Sequence, residues 1–66
     1  MNIFVNEQPR DVPVGCTLAE LIAALNMQPK YVAVERNREL VPRAKHAECI
    51  LAADDRLEIV TLDGGG

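Results

Sequence analysis

"TLAELIAAL" (residues 17–25) is the stretch that decides the fold. Thr17 can accept from the first free N–H groups of a helix and Glu20 can reach back to Thr17, the pairing of a capping box. Leu18, Leu21, Ile22 and Leu25 then fall at i, i+3, i+4 and i+7, which makes one apolar stripe along a short helix. Asn26 and Pro29 end it. A helix with one apolar stripe must lay that stripe on another element. The sequence on either side is rich in strand formers, so the chain reads as a two-layer α+β domain.

Working outward from the helix, "NIFVN" (residues 2–6) alternates as a strand does. "EQ" makes a turn, and "RDVPV" (residues 10–14) reads as the hairpin partner. Pro13 lacks a ladder donor and so places that partner at a sheet edge, and Gly15 breaks the pattern. On the other side, "YVAVERN" (residues 31–37) is a strand with Val32 and Val34 on one face. "RELVP" gives a short extended piece, because Pro42 pushes Val41 away from the α region. "PRAKHAE" supplies one helical turn with Pro42 near its start, "AADD" a loop, and "RLEIVTL" (residues 56–62) the last strand. Hairpin, helix, strand, short strand, strand is the order of a β-grasp: a mixed sheet of four to five strands wrapped on one main helix. The first and last strands are expected side by side and parallel in the middle, with the helix in the crossover.

Alternation assigns faces. Ile3 and Val5 should point to the helix, leaving Asn2, Phe4 and Asn6 outward. In the last strand Leu57, Ile59 and Thr61 should point inward and Arg56, Glu58, Val60 and Leu62 outward. Phe4, Val60 and Leu62 would then form an apolar docking surface on an otherwise polar face. The alternative, a register shifted by one, makes Phe4 part of the core.

With 66 residues the chain makes one small domain, and a domain of this size buries only about 60% of the surface its unfolded chain exposes. A deep catalytic cleft is not expected. Hydrophobic residues at 48% and charged residues at 26% give the balance of a globular domain rather than a disordered one. A net charge of -3 argues against nucleic acid as a partner, since binding by phosphate neutralisation needs a basic patch. No apolar run approaches the roughly 20 residues that span a bilayer, and "MNIFVNEQ" lacks a basic n-region and a long apolar h-region. Neither a membrane nor an export signal is expected, and a reduced cytoplasmic setting follows.

Few residues suggest internal chemistry. His46, between Lys45 and Ala47, reads as a solvated surface histidine. Asp54 and Asp55 read as turn residues, and a metal would want more carboxylates around it. Cys16 and Cys49 read as small buried or half-buried thiols. No metal and no bound cofactor are expected. The closing "LDGGG" differs in kind. The sequence predicts a domain over residues 1–62 and a flexible tail over residues 63–66, with Gly66 expected to offer an α-carboxylate. From Asp63 to Gly66 an extended tail reaches about 13 Å. Gly64 and Gly65 carry no side chains and could thread a narrow channel in a partner. A carboxylate becomes a useful electrophile once adenylated, and a sulfur nucleophile can then displace AMP. The contrary reading is an inert, disordered terminus.

The "MNIFVNEQ" opening, the "TLAELIAAL" helix, "VAVERNRELVPR", "DDRLEIVTL" and the terminal "GGG" together resemble the ThiS family of thiamine-pathway sulfur carriers over nearly the whole chain. The resemblance implies a protein that is not itself an enzyme. It implies adenylation of Gly66 by a ThiF-like adenylyltransferase that uses ATP, and sulfur that originates from cysteine through a desulfurase. It further implies a C-terminal thiocarboxylate that donates sulfur to a ThiG-like thiazole synthase, with Gly64 and Gly65 threaded into both partners. Asp63 departs from the family, which more often has an apolar residue there. Three rivals remain at this stage: a molybdenum-cofactor sulfur carrier, a ubiquitin-like protein modifier, and a plain interaction module with an inert tail.

Overall fold

The computed structural model describes residues 1–62. Strand β1 (Asn2–Val5) and strand β2 (Gln8–Asp11) form a hairpin, followed by helix α1 (Leu18–Ala24) and a 3₁₀ turn at Pro29–Tyr31. Strands β3 (Val32–Arg36) and β4 (Glu39–Leu40) form a second hairpin, a 3₁₀ helix covers Arg43–Glu48, and strand β5 (Arg56–Thr61) comes last. The strands lie in the order β2-β1-β5-β3-β4. β1 and β5 are parallel neighbours in the middle, and the remaining pairs are antiparallel. This is the β-grasp expected from the sequence, with all five strands present.

The helix start is built as the capping box requires. Glu20 N donates to Thr17 Oγ1 at 3.1 Å and Thr17 N donates to Glu20 Oε1 at 2.8 Å. Such a cap is worth about 1 kcal/mol. Leu18, Leu21 and Ile22 are buried against the sheet, with Leu25 partly so. They meet Ile3 from β1, Val32 and Val34 from β3, Leu57 and Ile59 from β5, and Leu51. Asn26, at φ 60, turns the chain out of the helix.

The hairpin partner differs from expectation in extent. β2 occupies Gln8–Asp11, not residues 10–14. The cause is a tight two-residue turn in which Asn6 (φ 50) and Glu7 (φ 69) both have positive φ, the type I′ geometry that matches strand twist. The strand sits at the edge as expected, but the proline within it is Pro9, opposite Phe4, and Pro13 lies beyond. Gly15 adopts φ +90 with open space where a Cβ would be, so its role there is conformational. Leu57 and Ile59 point inward and are buried, whereas Thr61, expected inward, is exposed past the end of β1.

His46 is also a correction. It is buried at 4% exposure rather than solvated. The 3₁₀ helix packs on α1 and turns this one side chain inward, leaving Lys45 and Glu48 outside as an ion pair at 3.2 Å. His46 Nε2 lies 3.1 Å from Val41 O, and since a carbonyl only accepts, that nitrogen carries the proton. Among the described residues its Nδ1 is buried without a partner.

Replacing Leu21 by Ala should lower unfolding free energy by about 2–5 kcal/mol, because Leu21 is 1% exposed at the centre of the stripe. Urea denaturation of the two proteins measures the difference.

Candidate functional site

The strand leading to Leu62, the last described residue, is β5, and its surroundings define the candidate site. On one side β5 pairs with β3 from Leu57 to Thr61, and Leu62 N continues the ladder to Tyr31 O at 2.7 Å. On the other side the pairing with β1 stops at Val5↔Leu57. Asn6 takes over where the backbone turns away. Its own N donates to Leu57 O at 2.9 Å. Its side chain then accepts from Ile59 N at 2.8 Å and donates to Ile59 O at 3.1 Å. A carboxamide has the donor and acceptor of a peptide unit, so the Asn6 side chain acts as one more residue of β1.

A second asparagine does the same at the other end. Asn37 (φ 50) and Arg38 (φ 71) form the β3–β4 turn. Asn37 N donates to Arg56 O at 2.8 Å, and Asn37 Oδ1 accepts from Arg56 N at 3.0 Å. Asn37 Nδ2 donates to Asp55 Oδ1 at 3.0 Å. Asp55 Oδ2 accepts from Arg36 Nε and from Ala52 N, both at 2.8 Å. Burial alone would push the Asp55 carboxyl up. The bonds from Ala52 and Asn37, with the charge and bond of Arg36, outweigh it and hold the group below the usual carboxylate range. Asp55 is therefore the hub that joins the loop before β5 to the second hairpin.

The outer sheet face presents Phe4, Arg56, Glu58, Val60 and Leu62, as alternation predicts. Phe4 is half-buried, with the Arg56 guanidinium carbon 4.5 Å from its ring centroid. This is a cation–π contact. Val60 and Leu62 are exposed at 53% and 51%. Phe4 pairs opposite Arg56, so Val60 lies four residues further along β5, about 13 Å away at the usual strand rise, with Glu58 between. The three side chains share this face, with Glu58 standing between Phe4 and Val60. Around Phe4 the face dips into a shallow cleft that also holds Glu35, Arg38, Arg56 and Glu58. Gly64, Gly65 and Gly66, expected to carry the chemistry and to thread a partner, lie outside the described residues.

The model of the ThiS family matches residues 3–66. The chain belongs to the ThiS family. The sulfur carrier protein ThiS of Bacillus subtilis is 38% identical over 50 residues, which cover 76% of each chain. A crystal structure of a ThiS thiamine biosynthesis protein from Geobacter metallireducens superposes with a TM-score of 0.85 at 33% identity, covering 100% of both chains. A thiazole synthase of Magnetococcus marinus is 39% identical over all 66 residues of this chain, which span only 20% of that relative's length.

Cys16 is buried and Cys49 half-buried, as expected. Burial, and then the charge of Glu20, raise the Cys16 thiol, which keeps it protonated and unreactive. Cys49 Sγ accepts from Arg36 Nη1 at 3.5 Å. No helix among the described residues is long and apolar enough to cross a membrane. The roles of Asn6, Asn37, Arg36 and Asp55 were missed from sequence. The available signal was an asparagine leading each of two short turns between strands, the residue that a type I′ turn favours.

Asn6→Gly keeps the positive φ and removes only the amide. It should cost about 1–2 kcal/mol and speed hydrogen exchange at Ile59 N relative to Val34 N, read by NMR. Asp55 titrates below its unfolded value, so its stabilisation is present above about pH 3.9 and is lost as pH falls from there through the folded value. Unfolding free energy should drop over that acid range, and Asp55→Asn should remove that part of the pH dependence in a melting series.

Proposed function

We propose that the protein is a sulfur carrier for making the thiazole ring of thiamine, and a co-substrate of other enzymes rather than a catalyst. The observation that carries this reading is the family match, which runs through residue 66 and so takes in the glycine tail. The fold supports it. β5 is held on the β3 side up to Leu62 and on the β1 side as far as Ile59, so Leu62 sits at a fixed point rather than in a loose loop.

In the proposed cycle a ThiF-like adenylyltransferase binds ATP and the Gly66 carboxylate. The carboxylate oxygen attacks the α-phosphorus and pyrophosphate leaves, giving an acyl adenylate. A persulfide, charged by a desulfurase from cysteine, attacks the acyl carbon through its terminal sulfur and expels AMP. A thiol then cleaves the resulting acyl disulfide and frees the thiocarboxylate. Gly66 has no Cβ to crowd the attacked carbonyl, and Gly64 and Gly65 are narrow enough to pass along a channel. The thiocarboxylate passes its sulfur to thiazole synthase. Proteins named thiazole synthase that contain a segment like this chain support that acceptor, because joining carrier to acceptor raises their effective concentration.

Incubation with the adenylyltransferase, ATP and a persulfide source should change the intact mass by the replacement of one oxygen by one sulfur at Gly66. Deleting Gly65 and Gly66 should abolish this change and thiazole formation while leaving the melting temperature unchanged. Thiazole formation by the truncated protein would refute the reading.

A further inference from the structure

At Ile59, β5 changes from a strand held on two edges to a strand held on one. Among the described residues its pairing beyond that point is with β3 alone. Val60 lies opposite Ala33 and Thr61 opposite Val32, and Leu62 N donates to Tyr31 O at 2.7 Å. A strand end paired on a single edge can pivot about that edge and fray. The Asn6 side chain stands where the second edge stops. It bonds both the N and the O of Ile59, at 2.8 and 3.1 Å, across 53 positions of sequence. Ile59 is itself buried in the core, so the amide closes a joint whose other side is already packed. In the sulfur-carrier reading this joint has a task. The Gly66 carboxylate must be brought in line with the α-phosphorus of ATP inside another protein while the domain rests on that protein's surface. The reaction then depends on how narrowly the end of β5 is aimed. A misplacement of about 1 Å, made far from the reacting atoms, can cost on the order of a hundredfold in rate.

We propose that Asn6 is a positioning residue for activation of the carboxylate: by holding Ile59, its amide sets the aim of the end of β5 and with it the approach of Gly66 to ATP. The inference rests on the sulfur-carrier reading. Asn6 acts through Ile59 and not on the reacting atoms. Asn37 supports the same strand with the same chemistry, but its amide bonds Arg56 N at the start of β5. The two-edged stretch from Arg56 to Ile59 lies between that bond and the strand end, so loss of the Asn37 amide leaves the aim unchanged.

The test is ATP–pyrophosphate exchange by a ThiF-like adenylyltransferase with the full chain as the varied substrate, run where every variant is folded, so that kcat and KM for the chain are read separately. The variants are N6G, which keeps the positive φ; N37G, which removes the same amide from the other turn; and T17A, which removes the helix cap and so lowers stability without touching β5. N6G should lower kcat about fivefold and leave KM for the chain unchanged. By NMR it should also lower the backbone amide order parameters of Thr61 and Leu62. N37G and T17A should melt earlier than the wild type yet keep its kcat and its order parameters at Thr61 and Leu62. Three results would overturn the inference: an unchanged kcat in N6G, an equal fall of kcat in T17A or N37G, or a loss confined to KM, which would make Asn6 a docking contact. Wild-type protein that supports no exchange overturns the sulfur-carrier reading itself, and this inference with it.

Discussion

A strand in the middle of a sheet needs hydrogen-bond partners on both edges, and β1 supplies them to β5 only as far as Leu57. The Asn6 side chain extends that support to Ile59, and Asn37 closes the opposite edge at Arg56. Buried peptide groups left without partners would each cost free energy comparable to a lost hydrogen bond. Two side-chain amides therefore let a central strand outrun its neighbours. The position of Leu62 depends on this arrangement.

The same asparagines meet two demands at once. Each opens a turn of positive φ, a conformation that asparagine tolerates better than most residues, and each directs its amide at β5. Asp55 links the second of these turns to the loop before β5 through Asn37, Arg36 and Ala52. The three bonds and the adjacent cation compensate for placing a carboxylate at 5% exposure. A buried carboxylate is tolerated when its lone pairs are used in this way.

Much of the architecture could be read from local patterns. The capping box and the stripe Leu18, Leu21, Ile22 placed the helix, and alternation placed Ile3, Val34, Leu57 and Ile59 in the core. The parallel pairing of first and last strands followed from a single helix in the crossover. What local pattern could not give was tertiary. The partner of Phe4 proved to be Pro9, because turn length sets hairpin register and the turn is Asn6 and Glu7, whereas the sequence reads Asn6 as strand and Gln8 as turn. His46 looked solvated beside Lys45 and Glu48, yet the 3₁₀ helix turns it inward. For the outer face, sequence named Phe4, Val60 and Leu62 correctly as outward. Only the register revealed Glu58 standing between Phe4 and Val60, with Glu35 opposite.

The placement of β5 has a mechanical consequence. An edge strand pulled from its end can peel away, breaking its bonds one after another. β5 runs between two neighbours, and tension applied beyond Leu62 acts along the strand, across bonds to β3, to β1 and to the Asn6 amide. Those bonds are sheared together and share the force. A protein that grips the chain past Leu62 and draws it inward can therefore tug on this domain without unravelling it.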